Sequence, residues 1–178
     1  MLRFYLWTIG CQMNQADARR LSEELEARGF LPTRQPEHAD VLILNTCVVR
    51  QSAEDKVLGR LSSLRPLKSG PTARALIVMG CFVGDSDTLR GQYPFVDAFF
   101  RPSDVSGVIE FVDDWTGLHA RESKIEPGRV GAAGVTEMVP ISYGCDHRCT
   151  YCIVAVRRGR QRSRALDEIV GEVADLVR

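Results

Sequence analysis

The chain of 178 residues carries 23 lysine and arginine residues and 23 aspartate and glutamate residues, so its net charge is zero. This balance gives no overall electrostatic argument for binding nucleic acid, and any such argument must come from a local patch. No apolar run approaches the ~18 residues that a membrane-spanning helix needs. Residues 1–14 also lack the ordered regions of a signal peptide, so we expect no membrane association and a cytoplasmic location.

Strand and helix signals alternate through the first part of the chain. Three short apolar segments predict buried strands: 3–8, 40–45 and 74–79. Three amphipathic segments predict helices between and after these strands: 15–28, 52–64 and about 105–112. We expect Pro66 to end the second helix, because proline lacks the backbone N–H that a helix needs. Apolar strands between amphipathic helices are typical of a parallel sheet covered on both faces, so we predict an open α/β domain over residues 1–117.

The second part of the chain is shorter and less regular. Residues 118–136 contain several glycines and predict a linker. A strand is predicted from Met138 and a helix from about Leu166, with a cysteine-rich loop between them. One strand, one loop and one helix cannot bury a core of their own. We therefore interpret residues 137–178 as the first β/α unit of a truncated domain.

Six cysteines are many for a chain without an export signal. Thiols in the cytosol stay reduced, which favours metal binding or redox chemistry over disulfides. Three of the cysteines, Cys145, Cys149 and Cys152, form a C-x3-C-x2-C pattern. Three thiolates in this pattern predict a 4Fe–4S cubane whose fourth iron stays open to an exogenous ligand. A zinc site is the alternative, but its fourth ligand would be His147, which lies inside the first spacing, where chelation is cramped.

The other three cysteines, Cys11, Cys47 and Cys81, each follow a predicted parallel strand. The carboxyl ends of parallel strands lie along one edge of a sheet, so we expect these distant cysteines to meet there. Unrelated core thiols are the alternative, since free cysteine is often buried. Three ligands again predict a cubane with one open iron, in this case free to bind a sulfur species for transfer. Asn14 and Asn45 flank these cysteines and either hydrogen-bond the loops or serve in simple turns.

With both groups of cysteines in place, the sequence resembles the radical S-adenosylmethionine methylthiotransferase family. The resemblance rests on five segments: TIGCQMN (8–14), NTCVVR (45–50), GC (80–81), GCDHRCTYC (144–152) and RGRQRSR (158–164). It implies two 4Fe–4S clusters, each held by one group of three cysteines, and S-adenosylmethionine as both radical source and methyl donor. It also implies that Tyr151 lies near the adenine of S-adenosylmethionine. The fold implied is an N-terminal methylthiotransferase domain followed by the start of a radical S-adenosylmethionine barrel.

Within the family, the form Gly-Cys-Gln-Met-Asn and residues 53–57 are similar to the members that modify transfer RNA. The resemblance thus implies methylthiolation of carbon 2 of N6-isopentenyladenosine next to the tRNA anticodon. It further implies a reduced flavodoxin- or ferredoxin-type electron donor, and we expect a monomer. Methylthiolation of a ribosomal protein and a non-catalytic iron–sulfur module for electron transfer or scaffolding are the alternatives. Most of the barrel lies outside this sequence, so the resemblance implies an incomplete fragment that is inactive alone.

Arginines crowd the segment that follows the cysteine-rich loop. They are Arg157, Arg158, Arg160, Arg162 and Arg164. Contacts with tRNA phosphates are one interpretation, because each neutralised phosphate releases counterions. A solvated loop, or contacts with parts of the barrel outside this sequence, is the other.

Overall fold

The computed structural model describes residues 1–117 and 136–177. The first of these ranges contains nine strands and helices, in this order: β1 (Arg3–Thr8), α1 (Gln12–Ala27), β2 (Leu31–Pro32), β3 (Val41–Thr46), α2 (Gln51–Lys68), β4 (Ala75–Gly80), α3 (Ser86–Gln92), β5 (Ala98–Phe100) and α4 (Val105–Thr116). A 3-10 helix, Pro36–His38, precedes β3. The five strands pair in parallel in the order β2-β1-β3-β4-β5. This arrangement confirms the predicted open α/β domain.

Both faces of the sheet are covered, which is why its central strands are apolar up to the last two residues of β3, Asn45 and Thr46. Every residue of β3 and β4 is buried. Successive side chains of a strand point to opposite faces. Ile43 accordingly packs with α1 and α4, whereas Leu42 and Leu44 pack with α2 on the other face. The two apolar layers fix the order and register of the strands, and with them the position of each strand end.

The prediction that Pro66 ends the second helix is wrong. Helix α2 passes through Pro66 and ends at Lys68. The missing N–H removes one helical hydrogen bond, but this loss falls within the last turn, and Ser69 N–H donates to the carbonyl of Pro66 at 3.2 Å. Leu67, one residue later, packs against the core on the α2 face of the sheet. Burial of this side chain favours the extra turn.

The second described range contains four short elements. They are β6 (Ser142–Tyr143), α5 (Val154–Arg158), β7 (Arg162–Ser163) and α6 (Leu166–Val177). Strands β6 and β7 form an antiparallel pair. The strand expected from Met138 is therefore confined to two residues, while the last helix begins where the pattern placed it. The interpretation of residues 137–178 as the start of a barrel stays a prediction. The predicted linker, residues 118–136, lies outside the described residues except for residue 136.

The second range contacts α1 of the first through polar side chains. Arg19 Nη2 donates to Oε1 of Glu172 at 2.8 Å, and Arg19 Nε lies 3.3 Å from Oε1 of Glu137. Arg20 Nη1 donates to the hydroxyl of Tyr143 at 2.7 Å. These contacts place the cysteine-rich segment beside the sheet domain. None of the helices described over 1–117 and 136–177 has the length and apolarity needed to cross a membrane.

The packing of α2 gives a stability test. Leu61 is fully buried in this helix, whereas Leu58 of the same helix is 37% exposed. We expect Leu61→Ala to lower the free energy of unfolding by about 2–5 kcal/mol, because the substitution leaves a cavity in the core. Leu58→Ala, the matched control, should lower it by much less. Denaturant unfolding followed by circular dichroism measures both values, and equal losses would contradict the described packing.

Candidate metal centre

The strand order brings three cysteines to the same edge of the sheet. Strands β1, β3 and β4 are neighbours, and all three run in the same direction. Cys47 and Cys81 directly follow β3 and β4, and Cys11 follows β1 after a short turn. Cys47 and Cys81 are buried, with 4% exposure each, whereas Cys11 is exposed. The site therefore has two sulfurs shielded by the protein and one at its open side.

The amide of Asn14 joins the loops that carry Cys11 and Cys47. This side chain is fully buried at the start of α1. Its Nδ2 donates to the carbonyl of Ile9 at 3.2 Å and to the carbonyl of Thr46 at 2.8 Å. Its Oδ1 accepts a hydrogen bond from the Cys11 thiol at 3.3 Å. The hydrogen-bonding interpretation of Asn14 is thus the one that the structure supports.

Asn45 and Thr46 extend these connections across the edge. Asn45 Nδ2 donates to the carbonyl of Asn14 at 2.7 Å, and Asn45 Oδ1 accepts from Asn14 Nδ2 at 3.2 Å. Thr46 Oγ1 donates to the carbonyl of Met79 at 2.6 Å, and Cys81 N–H donates to the carbonyl of Thr46 at 3.0 Å. Hydrogen bonds thus connect all three cysteine-bearing loops before any metal is considered. The only signal for Thr46 in the sequence is its place at a strand end, within the segment of residues 45–50 that carries the resemblance.

Gly10 is required where the first loop approaches Cys47. Its φ is +130°, a backbone conformation that favours glycine. A Cβ at this position would lie 2.5 Å from Cβ and 3.0 Å from Sγ of Cys47. The absent side chain therefore lets the first cysteine loop lie directly against the second cysteine.

The three thiols influence one another electrostatically. Burial raises the pKa of the Cys81 thiol, the nearby guanidinium of Arg158 lowers it, and the Cys47 and Cys11 sulfurs raise it further. A bound metal requires the thiolate form and would release this proton. The donor chemistry of the edge, three sulfurs in one electrostatic environment with a cation beside them, fits an anionic iron–sulfur cluster.

The edge is not arranged around a single ion. Over 1–117 and 136–177, no three His, Cys, Asp or Glu side chains form a group that could hold one metal ion. In a cubane each thiolate binds a different iron, so its ligands surround a larger object. The assignment of the six cysteines as cluster ligands stays a prediction.

The second group of cysteines lies in a loop closed by its own backbone. Cys145 N–H donates to the carbonyl of Gly159 at 3.1 Å, and Cys152 N–H donates to the carbonyl of Cys149 at 3.1 Å. Asp146 Oδ1 accepts from the N–H of Gln161 at 3.0 Å. These hydrogen bonds all join residues of the same segment, so the loop is closed by local contacts.

The loop presents its reactive groups to solvent. Cys149 is exposed, Cys145 and Cys152 are half-buried, and Tyr151 is 91% exposed. The ring of Tyr151 makes no described aromatic contact over 1–117 and 136–177. An exposed aromatic side chain between two cysteines is available to a ligand, and its placement near adenine stays a prediction.

Known proteins match the chain along nearly its whole length. Residues 3–101 match the family model described as "Uncharacterized protein family UPF0004". The tRNA-2-methylthio-N(6)-dimethylallyladenosine synthase of Roseiflexus sp. (strain RS-1) is 39% identical over 177 residues, which cover 98% of this chain and 37% of the relative. The protein of the same name from Dehalococcoides mccartyi is 42% identical over 176 residues, which cover 98% of this chain and 39% of the relative.

The chain belongs to the methylthiotransferase family. This membership confirms the resemblance drawn from the cysteine segments. The chain spans about two fifths of the length of the curated relatives that it matches. The matched family region, residues 3–101, contains Cys11, Cys47 and Cys81 and thus the whole strand-end edge.

The contact between Gly10 and Cys47 in this methylthiotransferase chain can be tested without metal. Gly10→Ala should destabilise the protein by about 1–2 kcal/mol through its positive φ, with a further ~1–3 kcal/mol from overlap with Cys47. Gly29→Ala is the matched control, because Gly29 has a φ of +84° and a Cβ there would meet nothing within 4 Å. Thermal unfolding of the metal-free protein measures both losses. A loss at Gly10 no larger than that at Gly29 would contradict the described approach.

Proposed function

We propose that this chain forms the cluster-binding part of an enzyme that methylthiolates carbon 2 of N6-isopentenyladenosine, next to the anticodon of tRNA. The supporting relatives are named as synthases of tRNA-2-methylthio-N(6)-dimethylallyladenosine and match 98% of this chain. The observation that carries the proposal is the strand-end edge, where hydrogen bonds join three cysteine-bearing loops that are distant in sequence. A protein that used these cysteines only as core residues would not need to connect their loops in this way.

In this proposal the six cysteines hold two 4Fe–4S clusters. Cys11, Cys47 and Cys81 are the ligands of the first cluster, and Cys145, Cys149 and Cys152 are those of the second. S-adenosylmethionine binds at the second group, with Tyr151 beside its adenine. When bound, these groups supply the electron that cleaves S-adenosylmethionine and the sulfur that is transferred.

The residues of the chain itself prepare the first site. Asn14 and Thr46 hold the three loops in fixed relation through hydrogen bonds to backbone carbonyls. Burial of Cys47 and Cys81 excludes water from two sulfurs, and exposed Cys11 leaves one side open to the transferred group. The site is thus closed toward the sheet and open to solvent on the side of Cys11.

The arginines that follow the cysteine-rich loop differ in how exposed their side chains are. Arg160 and Arg162 are exposed and are the members we propose for contacts with tRNA phosphates. Arg164 Nη1 instead donates to Glu172 at 2.6 Å and to the carbonyl of Pro140 at 2.9 Å, so it holds α6. The proposed enzyme receives electrons from a reduced flavodoxin- or ferredoxin-type protein and acts as a cytoplasmic monomer.

The relatives are much longer than this chain, and this difference affects what we expect the chain to do alone. They share only 37–42% of their length with it, so the remaining part is expected to complete the substrate pocket. We propose that the chain alone binds clusters but does not modify tRNA. Activity is therefore tested with the chain joined to the remainder of a relative.

A chimera tests the proposed activity. Residues 1–178 replace the matching region of the Dehalococcoides mccartyi relative, and the chimera is expressed in a bacterial host that lacks its own enzyme. We expect the 2-methylthio nucleoside to reappear in hydrolysed tRNA, because this chain supplies both cysteine groups. Mass spectrometry of the nucleosides measures it.

The control chimera carries Cys47→Ser and should give no product while remaining soluble. A chimera that loads both clusters, as shown by iron content and absorbance, yet forms no methylthio nucleoside would contradict the tRNA proposal. Methylthiolation of a ribosomal protein by the same chimera would favour the alternative substrate class.

A further inference from the structure

One arginine from the segment after the cysteine-rich loop enters the strand-end network. Arg158 lies at the end of α5, and its side chain is only 7% exposed. Its Nη2 donates to Oδ1 of Asn14 at 3.0 Å across 144 positions of sequence, and its Nη1 donates to the hydroxyl of Ser103 at 2.8 Å. Its positive charge also lies near enough to Cys81 to lower the pKa of that thiol. This side chain thus contacts Asn14, which joins the loops of Cys11 and Cys47, and brings a positive charge near Cys81.

The charge of Arg158 is balanced inside the protein. Asp17 of α1 is 1% exposed, and its Oδ2 lies 3.5 Å from Nη1 of Arg158. The same oxygen accepts a hydrogen bond from Ser103 at 3.0 Å, while Oδ1 of Asp17 has no hydrogen-bond partner among the described residues. Burial raises the pKa of Asp17, and Arg158 acts in the opposite direction. This pair is therefore poorly hydrated.

Such an arrangement is a weak source of stability. The loss of hydration of two buried charges can exceed their attraction. Ser103, which bridges them, has a φ of +65°, in the left-handed region that non-glycine residues rarely adopt. Strained backbone of this kind clusters at functional sites, and a buried oxygen without a partner calls for an explanation of its own.

We propose that Arg158 is a positioning residue that fixes the second cysteine segment against the strand-end edge and directs a positive charge at the cluster bound there. The proposal rests on the proposed function, because it takes Cys11, Cys47 and Cys81 as cluster ligands. A guanidinium suits this role, since its rigid planar fork donates in fixed directions, whereas an ammonium is a point charge on a flexible stem. Its partners also keep it from reaching a tRNA phosphate.

The expected effect is electrostatic. Hydrogen bonds to the sulfurs and net charge set the reduction potential of iron–sulfur clusters. A cation beside Cys81 stabilises the more negative, reduced state and raises the midpoint potential of the cluster. The carboxylate of Asp17 carries the opposite charge and therefore reduces this rise in the midpoint potential. Changes at these two residues should therefore move the potential in opposite directions.

The test uses the full chain with all three cysteines of the second group changed to alanine, so that only the strand-end cluster remains. Arg158→Gln is introduced into this background, with Arg160→Gln as the control because Arg160 belongs to the same segment and is exposed. Redox titration followed by electron paramagnetic resonance measures the midpoint potential. We expect a more negative potential for Arg158→Gln, a smaller shift for Arg158→Lys, and no shift for Arg160→Gln.

A second variant covers the case in which Arg158→Gln binds no cluster. Asp17→Asn keeps Arg158 and removes the opposing charge, so the potential should become more positive. Unchanged potentials in Arg158→Gln or in Asp17→Asn, with iron bound, would overturn the role of Arg158. Failure of the parent background to bind iron would instead overturn the proposed function, and the role of Arg158 with it.

Discussion

The buried amide of Asn14 is the interaction on which the strand-end edge depends. It contacts carbonyls of two loops with one end and the Cys11 thiol and Arg158 with the other. A buried amide that loses such partners leaves polar groups unsatisfied, and each of these costs about 1–3 kcal/mol. The loops are thus held together by a group whose misplacement is energetically expensive. The parallel sheet supplies the common edge, and Asn14 sets how closely the loops approach along it.

The two cysteine groups are held in place by different kinds of interaction. The second group is local, and its loop is closed by backbone hydrogen bonds within one segment. The first group comes from three strands, so its geometry depends on the sheet, its two apolar layers and the hydrogen bonds between loops. Arg158 connects the two cysteine groups, because it follows the cysteine-rich loop in sequence and its side chain hydrogen-bonds to Asn14 and Ser103 of the sheet domain.

Much of this arrangement could be predicted from the sequence. Apolar runs such as residues 74–79 predicted the central strands, and the cysteine after each run predicted the shared edge. The limits of α2 could not be predicted, because Pro66 lies in the last turn, where packing of Leu67 outweighs one lost hydrogen bond. The short strands β2 and β5 are too brief to show a period. The role of Arg158 was also hidden, since its partners lie in a distant part of the chain and its neighbours are also arginines.

The central claim is that three cysteines from three adjacent strand ends hold one iron–sulfur cluster and that the cysteine-rich loop holds another. Iron anomalous diffraction from crystals of the anaerobically reconstituted chain tests this claim most directly. The account predicts two separate groups of iron peaks, one bounded by Cys11, Cys47 and Cys81 and one within the loop of residues 145–152. Iron in the loop alone, or no iron bonded to the strand-end cysteines, would contradict it.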